Sequence, residues 1–339
     1  MNSYDWQELY ADYEYQDNGR SAHRQHKRPQ KPKTQPALDA IREMDDGVDS
    51  WVPSYAAALD PLHHERHWLI SSLEHFYRQD VITDVTRLVK GGKEANVYTC
   101  LANPASGHTL LAAKLYRERM LRNLKNDAIY KEGRMLRDAE GKQLRSRRER
   151  TAVLKKTGYG LHLDFMMWVG TEFRSQTLLY EAGADVPQPI GHNGHTILME
   201  FIGDEYGAAP ALNEIRLPQD EAEPLFHRAL GNIRLMLEHH LIHGDLSAYN
   251  ILYWEGDIWL IDFPQVVDAR TNPHALPLLQ RDITRVCDYF GRFHIQSDPV
   301  ELAQEMWREY MRGESEKRDW RLEIRGFAIS NLQSPISKI

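Results

Sequence analysis

One short loop of this 339-residue chain carries a carboxylate and a carboxamide, and a second carboxylate follows soon after it. Asp245 and Asn250 lie in the sequence His-Gly-Asp-Leu-Ser-Ala-Tyr-Asn, and Asp262 ends the apolar run that comes next. Phosphoryl transfer to a hydroxyl uses such a set, because one carboxylate orients the acceptor while an Asn and an Asp hold a divalent metal. The pattern therefore predicts a phosphoryl-transfer centre, with Asn250 and Asp262 as oxygen ligands of Mg²⁺.

A plainer interpretation treats Asp245 and Asn250 as turn residues, since both residue types favour turns. Three features N-terminal to the loop, in the order that a kinase requires, weaken that interpretation. We expect His243 to support the loop by hydrogen bonding rather than to act as a base.

The first of these features is a glycine turn at Gly92, between two predicted strands, where backbone N–H groups could approach phosphates closely. The second is Lys114, which lies in an apolar strand and needs an anionic partner or an exit to solvent. The third is Glu172, at the start of a helix predicted over residues 172–181. Its carboxylate is the candidate ion-pair partner of the Lys114 ammonium. Alone, each would be an ordinary turn or a surface charge, so the prediction depends on their order.

The elements that position these residues follow from hydrophobic periodicity. The pattern predicts a meander of three strands around Gly92 and a later strand at 196–202. Helices are predicted from Pro61 onward and at 172–181, 225–239, 276–290 and 299–311. A strand-rich first part followed by a helix-rich second part predicts an α+β fold with two lobes.

Bulk composition limits the class of protein. The apolar fraction is 42% and the formal net charge is −7, which suits a soluble globular protein and argues against one that coats nucleic acid generally. Cys100 and Cys287 are the only cysteines, so the sequence predicts neither a disulfide framework nor a cysteine metal cluster. Without a signal-peptide pattern or an apolar run that could span a bilayer, we expect a cytoplasmic protein with no membrane contact.

Two basic segments, 20–33 and 145–156, are candidate contacts for RNA or a ribosomal particle, although charge runs are usually just solvated. The second lies in a polar insertion, 127–164, that we interpret largely as a loop.

The combination of motifs resembles the RIO family of atypical serine/threonine protein kinases, over about residues 82 to 293. The matching stretches share the order of kinase motifs and are Gly92–Tyr98, Ala113–Tyr116, Glu172–Arg174, Val186–Pro189, Leu198–Gly203, His243–Asn250, Ile261–Gln265, Pro273–Ala275 and Arg281–Asp282. The glycine turn is similar to the first RIO subfamily and Asp262-Phe-Pro-Gln to the second. This mixed signature is typical of a bacterial-type member.

The resemblance implies a protein-kinase-like fold of the trimmed RIO type, with a small antiparallel-sheet N-lobe, a helical C-lobe and no activation segment. It implies ATP with Mg²⁺ or Mn²⁺, Asp245 and Asp262 as catalytic residues, and Asn250 and Asp262 as metal ligands. The residues implied to bind nucleotide are Gly92, Lys93, Val97, Lys114, Glu172, Met199, Glu200 and Ile202. In this family the metal-binding aspartate can itself accept phosphate, so Asp262 could also act in an ATPase cycle.

These inferences predict a domain order along the chain. It comprises a disordered tail at 1–50, a packing helix within 51–81, an N-lobe at 82–202, a C-lobe at 203–312 and a C-terminal extension at 313–339. Two other functions stay open: a small-molecule phosphotransferase of the aminoglycoside/choline kinase type, and a nucleotide-gated factor that binds RNA or the ribosome. The physiological substrate and the oligomeric state do not follow from the sequence.

Overall fold

The computed structural model describes residues 51–60, 64–117 and 146–314 of the chain. The predicted N-terminal tail, the basic segment 20–33, the insertion before residue 146 and the extension beyond residue 314 lie outside the described residues. Within those described ranges, no helix combines the length and the apolar character needed to cross a bilayer.

A five-stranded antiparallel sheet, in the order β1-β2-β3-β5-β4, forms the first lobe. Its strands are β1 (Ile82–Gly91), β2 (Ala95–Ala102), β3 (Leu110–Tyr116), β4 (Pro189–His192) and β5 (Thr196–Glu200). Strands β2 and β3 pair in continuous register, which sets Val97 opposite Lys114. The predicted meander of the first three strands is confirmed.

Two helices precede the sheet: α1 (Ser54–Ala57) and α2 (His64–Arg78). The apolar face of α2, with Leu69, Leu73 and Phe76, packs into the same cluster as Tyr98 of β2. The helix predicted from Pro61 onward therefore has one buried apolar face, although Tyr77, next to Phe76, is 38% exposed.

The basic stretch before Glu172 is helical, so the predictions of a loop through residue 164 and of a helix beginning at Glu172 were wrong. The helices are α3 (Arg147–Leu154) and α4 (Gly158–Glu181). The side chain of Thr157 caps α4 by accepting a hydrogen bond from Gly160 N at 3.1 Å. A Cβ on Gly160 would lie 2.0 Å from Ala152 O, so this glycine is what lets the two helices approach. Gly160 therefore serves the packing of α4 against α3.

The second lobe is built mainly from helices. They are α5 (Gln219–Glu238), α6 (Ala275–Phe290) and α7 at residues 299–314, with single 3₁₀ turns at Leu212–Glu214 and Gly291–Phe293. Phe226 and Ile233 of α5 share an apolar core with Ile283 and Phe290 of α6. The two-lobed α+β fold is therefore confirmed.

Two short antiparallel pairs lie between α5 and α6, and the sequence analysis did not predict them. They are β6 (Leu241–Ile242) with β9 (Val267–Asp268), and β7 (Ile251–Trp254) with β8 (Asp257–Leu260). The β7–β8 turn consists of Glu255 and Gly256, with φ values of 50° and 87°. Two successive positive φ angles are typical of a tight hairpin turn. The hairpin brings the end of β8 back beside the start of β7, where Ile261 N donates a hydrogen bond to Asn250 O at 3.0 Å.

The segment between Asp262 and α6 is short. Residues 263–274 contain only β9 and turns before Ala275 begins the helix. This leaves no room for the activation segment of larger kinases, as the trimmed fold predicts.

Candidate active site

Lys114 lies between the two lobes and contacts two carboxylates. Its Nζ is 2.8 Å from Glu172 Oε1 and 2.6 Å from Asp262 Oδ1. Glu172 comes from α4, and Asp262 follows β8 of the second lobe. Tyr116, two residues after Lys114 on β3, donates a hydrogen bond to Glu172 Oε2. Three of the predicted site residues therefore meet in one ion-pair cluster.

The cluster is buried on one side and open on the other. Lys114 and Glu172 are 12% and 2% exposed, whereas the Asp262 side chain is 40% exposed. Burial would lower the pKa of Lys114, but the Asp262 and Glu172 carboxylates outweigh it and raise that pKa, so the ammonium stays charged. Burial raises the pKa of Glu172 against the opposing effect of Lys114.

Asp262 has an unusual backbone conformation. Its φ is 73°, in the left-handed region that few non-glycine residues adopt and where retained strain often marks a functional site. Burial works to raise the pKa of Asp262, but the nearby Lys114 ammonium outweighs it and holds the pKa below its ordinary value. The next turn is held by a buried hydrogen bond of 3.1 Å from Trp168 Nε1 to Pro264 O. The Asp262 carboxylate is therefore both ionised and oriented.

His243 supports the polar loop, as predicted. Asp245 N donates to His243 Nδ1 at 3.3 Å, and His243 Nε2 lies 3.1 Å from Ile261 O. These partners assign the proton to Nε2, which donates to the carbonyl, while Nδ1 accepts. Burial lowers the pKa of His243, which favours this neutral form. The imidazole therefore ties the loop to the residue before Asp262.

Asn250 connects the loop to the hairpin. Its Nδ2 donates to Asp245 O at 2.9 Å, which leaves Oδ1 as the oxygen that could ligate a metal. In the described part of the chain, no group of three or more His, Cys, Asp or Glu residues could hold a metal ion. A carboxamide oxygen and the exposed Asp262 carboxylate do fit Mg²⁺, which takes few protein ligands and fills its shell with phosphate oxygens and water.

Helix α6 fixes the backbone of the loop through Asp282, which is 1% exposed. Asp282 accepts hydrogen bonds from Gly244 N at 2.7 Å and Leu246 N at 3.1 Å. Arg281, its neighbour, donates to Gly244 O. Burial raises the pKa of Asp282 to about 7, although the two N–H donors work against that increase. Sequence analysis included Arg281 and Asp282 in the resemblance but missed their role.

Asp282→Ala is expected to lower the free energy of unfolding by about 2–4 kcal/mol, because it leaves two buried N–H groups without an acceptor. Chemical denaturation measures this loss, with exposed Asp288→Ala on the same helix as the control. Equal stability of the two variants would contradict the role given to Asp282.

The glycine turn forms a cradle with little room for side chains. A Cβ on Gly92 would lie 2.8 Å from Ala95 O, and Arg117 N donates to Glu94 O at 3.0 Å to close the turn. Lys93 is exposed at the tip and is not among the ion-pair partners in the Lys114 cluster. Residues 91–93 of the turn are exposed, and the role of their backbone in binding phosphate stays a prediction.

The predicted adenine segment begins with the last two residues of β5, Met199 and Glu200, and continues to Ile202. Met199 packs against the small apolar cluster that contains Tyr116 and Trp168. Glu200 Oε2 accepts a hydrogen bond from Gln188 N at 3.1 Å, so this side chain has a partner within the lobe. The role of the backbone from Met199 to Ile202 in nucleotide binding stays a prediction.

Comparison with known proteins gives one family match and several relatives. A family model described as the RIO domain matches residues 96–302. The serine/threonine-protein kinase RIO1 of Caenorhabditis elegans is 29% identical over 241 residues, which cover 68% of this chain and 44% of that protein. The human RIO1 kinase is 31% identical over 216 residues, 63% of this chain and 34% of its own length. The chain thus matches less than half the length of these two relatives.

An archaeal relative is matched over more of its own length. The RIO-type serine/threonine-protein kinase Rio1 of Thermoplasma acidophilum is 31% identical over 146 residues, 43% of this chain and 73% of that protein. Among solved structures, the Rio2 kinase from Chaetomium thermophilum, in its ADP/Mg²⁺-phosphoaspartate complex, is 22% identical with a TM-score of 0.49. That similarity covers 71% of this chain and 66% of the other.

Proposed function

Because the chain belongs to the RIO domain family, we propose that it is a serine/threonine protein kinase that uses ATP and Mg²⁺. The observation that carries the proposal is the contact of Lys114 with both Glu172 and Asp262, at 2.8 and 2.6 Å. A charged lysine fixed between a helix glutamate and a metal-binding aspartate is the arrangement that kinases use to hold nucleotide phosphates. The loop from Asp245 to Asn250 supplies the carboxylate that orients the acceptor hydroxyl.

Each residue then has a defined task. Lys114, held by Glu172, binds the phosphates, and the backbone around Gly92 covers them. Asn250 and Asp262 would hold the divalent ion, which supplies charge neutralisation for the transferring phosphoryl group. Asp245 orients the acceptor hydroxyl and accepts its proton as the new bond forms.

The lobes proposed at 82–202 and 203–312 meet at Gly203. Its φ is 134°, and a Cβ there would lie 2.3 Å from Gly207 O. This junction needs glycine for both backbone and steric reasons. It supports a boundary directly after the proposed adenine-binding segment.

Lys114→Met is expected to raise the KM for ATP by about 10- to 100-fold, because the variant cannot make the charge-assisted hydrogen bond to phosphate. The change in kcat is expected to be smaller, because Asp245 and Asn250 are untouched. Steady-state kinetics at saturating Mg²⁺ measure both constants, with the exposed Lys155→Met as the control. An unchanged KM for ATP would contradict the phosphate-binding role.

The experiment that tests the proposed function is incubation with γ-labelled ATP and Mg²⁺, followed by location of the label by mass spectrometry. Acid-stable label on Ser or Thr of a protein supports the kinase. Acid-labile label on Asp262, with steady release of phosphate, supports an ATPase cycle instead. Turnover of amino sugars or choline without protein labelling would favour the small-molecule phosphotransferase.

A second candidate, a nucleotide-gated factor that binds RNA or a ribosomal particle, is favoured by the exposed basic surface at α3. The exposed cationic residues there are Arg147, Arg148, Arg150, Lys155 and Lys156. If they bind phosphates, Arg147→Ala with Arg148→Ala should reduce the salt slope of RNA binding by about 2, roughly 1 for each arginine removed. Exposed Arg216 and Arg308 serve as a matched control pair in the other lobe. An unchanged slope would remove α3 from the binding surface.

A further inference from the structure

Helix α6 presents three polar side chains to the loop at 243–250, and one of them differs from the others. Arg281 and Asp282 bind the loop backbone at Gly244 and Leu246. Arg285, one helical turn further on, instead reaches a side chain. Its Nη1 lies 2.7 Å from Asp245 Oδ1.

This ion pair is too exposed to matter much for folding. Arg285 and Asp245 are each 38% exposed, and ion pairs at such exposure contribute little to stability. The consequence of the contact is therefore local. It fixes Oδ1, and no hydrogen bond from the residues that the structure describes reaches Oδ2. The second oxygen is left to accept the proton of an incoming hydroxyl.

The loop itself supplies no lysine or arginine that could fix the Asp245 carboxylate. Between Asp245 and Asn250 the sequence is Leu-Ser-Ala-Tyr, without a lysine or arginine. Asp245 must nevertheless work beside the Asp262 carboxylate and bound phosphates, which repel a second carboxylate. A guanidinium is permanently charged and holds a carboxylate with defined geometry.

We propose that Arg285 is a positioning residue for phosphoryl transfer, which acts through the carboxylate of Asp245. The inference rests on the proposed kinase function. Arg285 makes no contact with Lys114 or Asp262, so it should influence the acceptor side of the reaction and not nucleotide binding.

The test compares kcat and the KM for ATP of purified full-length variants with γ-labelled ATP and a protein acceptor. Arg285→Ala is expected to lower kcat by about 10- to 100-fold, as expected for loss of a hydrogen bond to a charged group, while the KM for ATP stays close to wild type. Arg285→Lys should restore part of the rate, because it keeps the charge but not the planar geometry of the guanidinium. Arg234→Ala is the matched control, since Arg234 is 50% exposed in a remote pair with Glu309.

A double-mutant comparison separates positioning from a structural effect. In an Asp245→Asn background, Arg285→Ala should cause little further loss, because the group through which it acts is already changed. Three results would overturn the role of Arg285 but leave the proposed kinase function intact. They are an equal loss in both backgrounds, a wild-type rate for Arg285→Ala, and a KM for ATP that rises as kcat falls. Absence of transfer by the wild-type protein would overturn the proposed function as well.

Discussion

Asp245→Ala is expected to lower phosphoryl transfer by about 10²- to 10⁴-fold while ATP still binds, because it removes the group that orients and deprotonates the acceptor. Asp245 is 38% exposed on the acceptor side and makes no contact with Lys114. Its loss should therefore appear in kcat. Label transfer from γ-labelled ATP measures the rate, and nucleotide titration measures binding.

Exposed Asp288→Ala is the control for Asp245→Ala, because it removes the same charge from a neighbouring surface of the lobe. Asp245→Asn adds a second comparison, since it preserves the size of the side chain but not its ability to accept a proton. Transfer by either Asp245 variant at the wild-type rate would refute the catalytic assignment.

Asp262→Ala is expected to reduce transfer by roughly 10³-fold, because it removes a metal ligand and with it electrostatic stabilisation of the transferring group. The substitution also removes one of the two carboxylates that hold Lys114. Because a metal ligand is lost, we expect the stabilisation of the protein by ADP to lose its dependence on Mg²⁺. Thermal unfolding with ADP, with and without Mg²⁺, measures this independently of activity.

Asp268→Ala is a matched control for Asp262→Ala. Asp268 is 35% exposed in an ion pair with Arg270, close to the 40% exposure of Asp262, but it lies outside the Lys114 cluster. Mg²⁺-dependent stabilisation that persists in Asp262→Ala would exclude Asp262 as a metal ligand. Acid-labile label that persists in that variant would exclude it as a phosphate acceptor.

Much of the fold could be predicted from local sequence patterns. Alternation around Gly92 predicted the first three strands, and helical spacing predicted α5 and α6, because each pattern reflects a single buried face. The start of α4 was missed because the basic, polar stretch 127–164 was interpreted largely as a loop. The close approach of Gly160 in α4 to Ala152 in α3 is a contact between two helices, which local periodicity does not reveal.

The residue types of the site could be predicted from the sequence, but several of their hydrogen-bond and ion-pair partners could not. The spacing of Arg281, Asp282 and Arg285 on one helix face was the available signal for a polar surface on α6. Their contacts with the loop at 243–250 join parts of the chain that are distant in sequence. A helical pattern shows which side chains share a face of the helix, but it does not identify the residues that they contact.

The sequence by itself determined the chemical groups and their order: a glycine turn, Lys114, Glu172, and then Asp245, Asn250 and Asp262. Residue type sets charge and hydrogen-bonding capacity, so this information is present before folding. Only the tertiary structure decided that Lys114 joins Glu172 to Asp262 and that α6 holds the acceptor loop. These contacts link separate elements, and their distances depend on how both lobes pack.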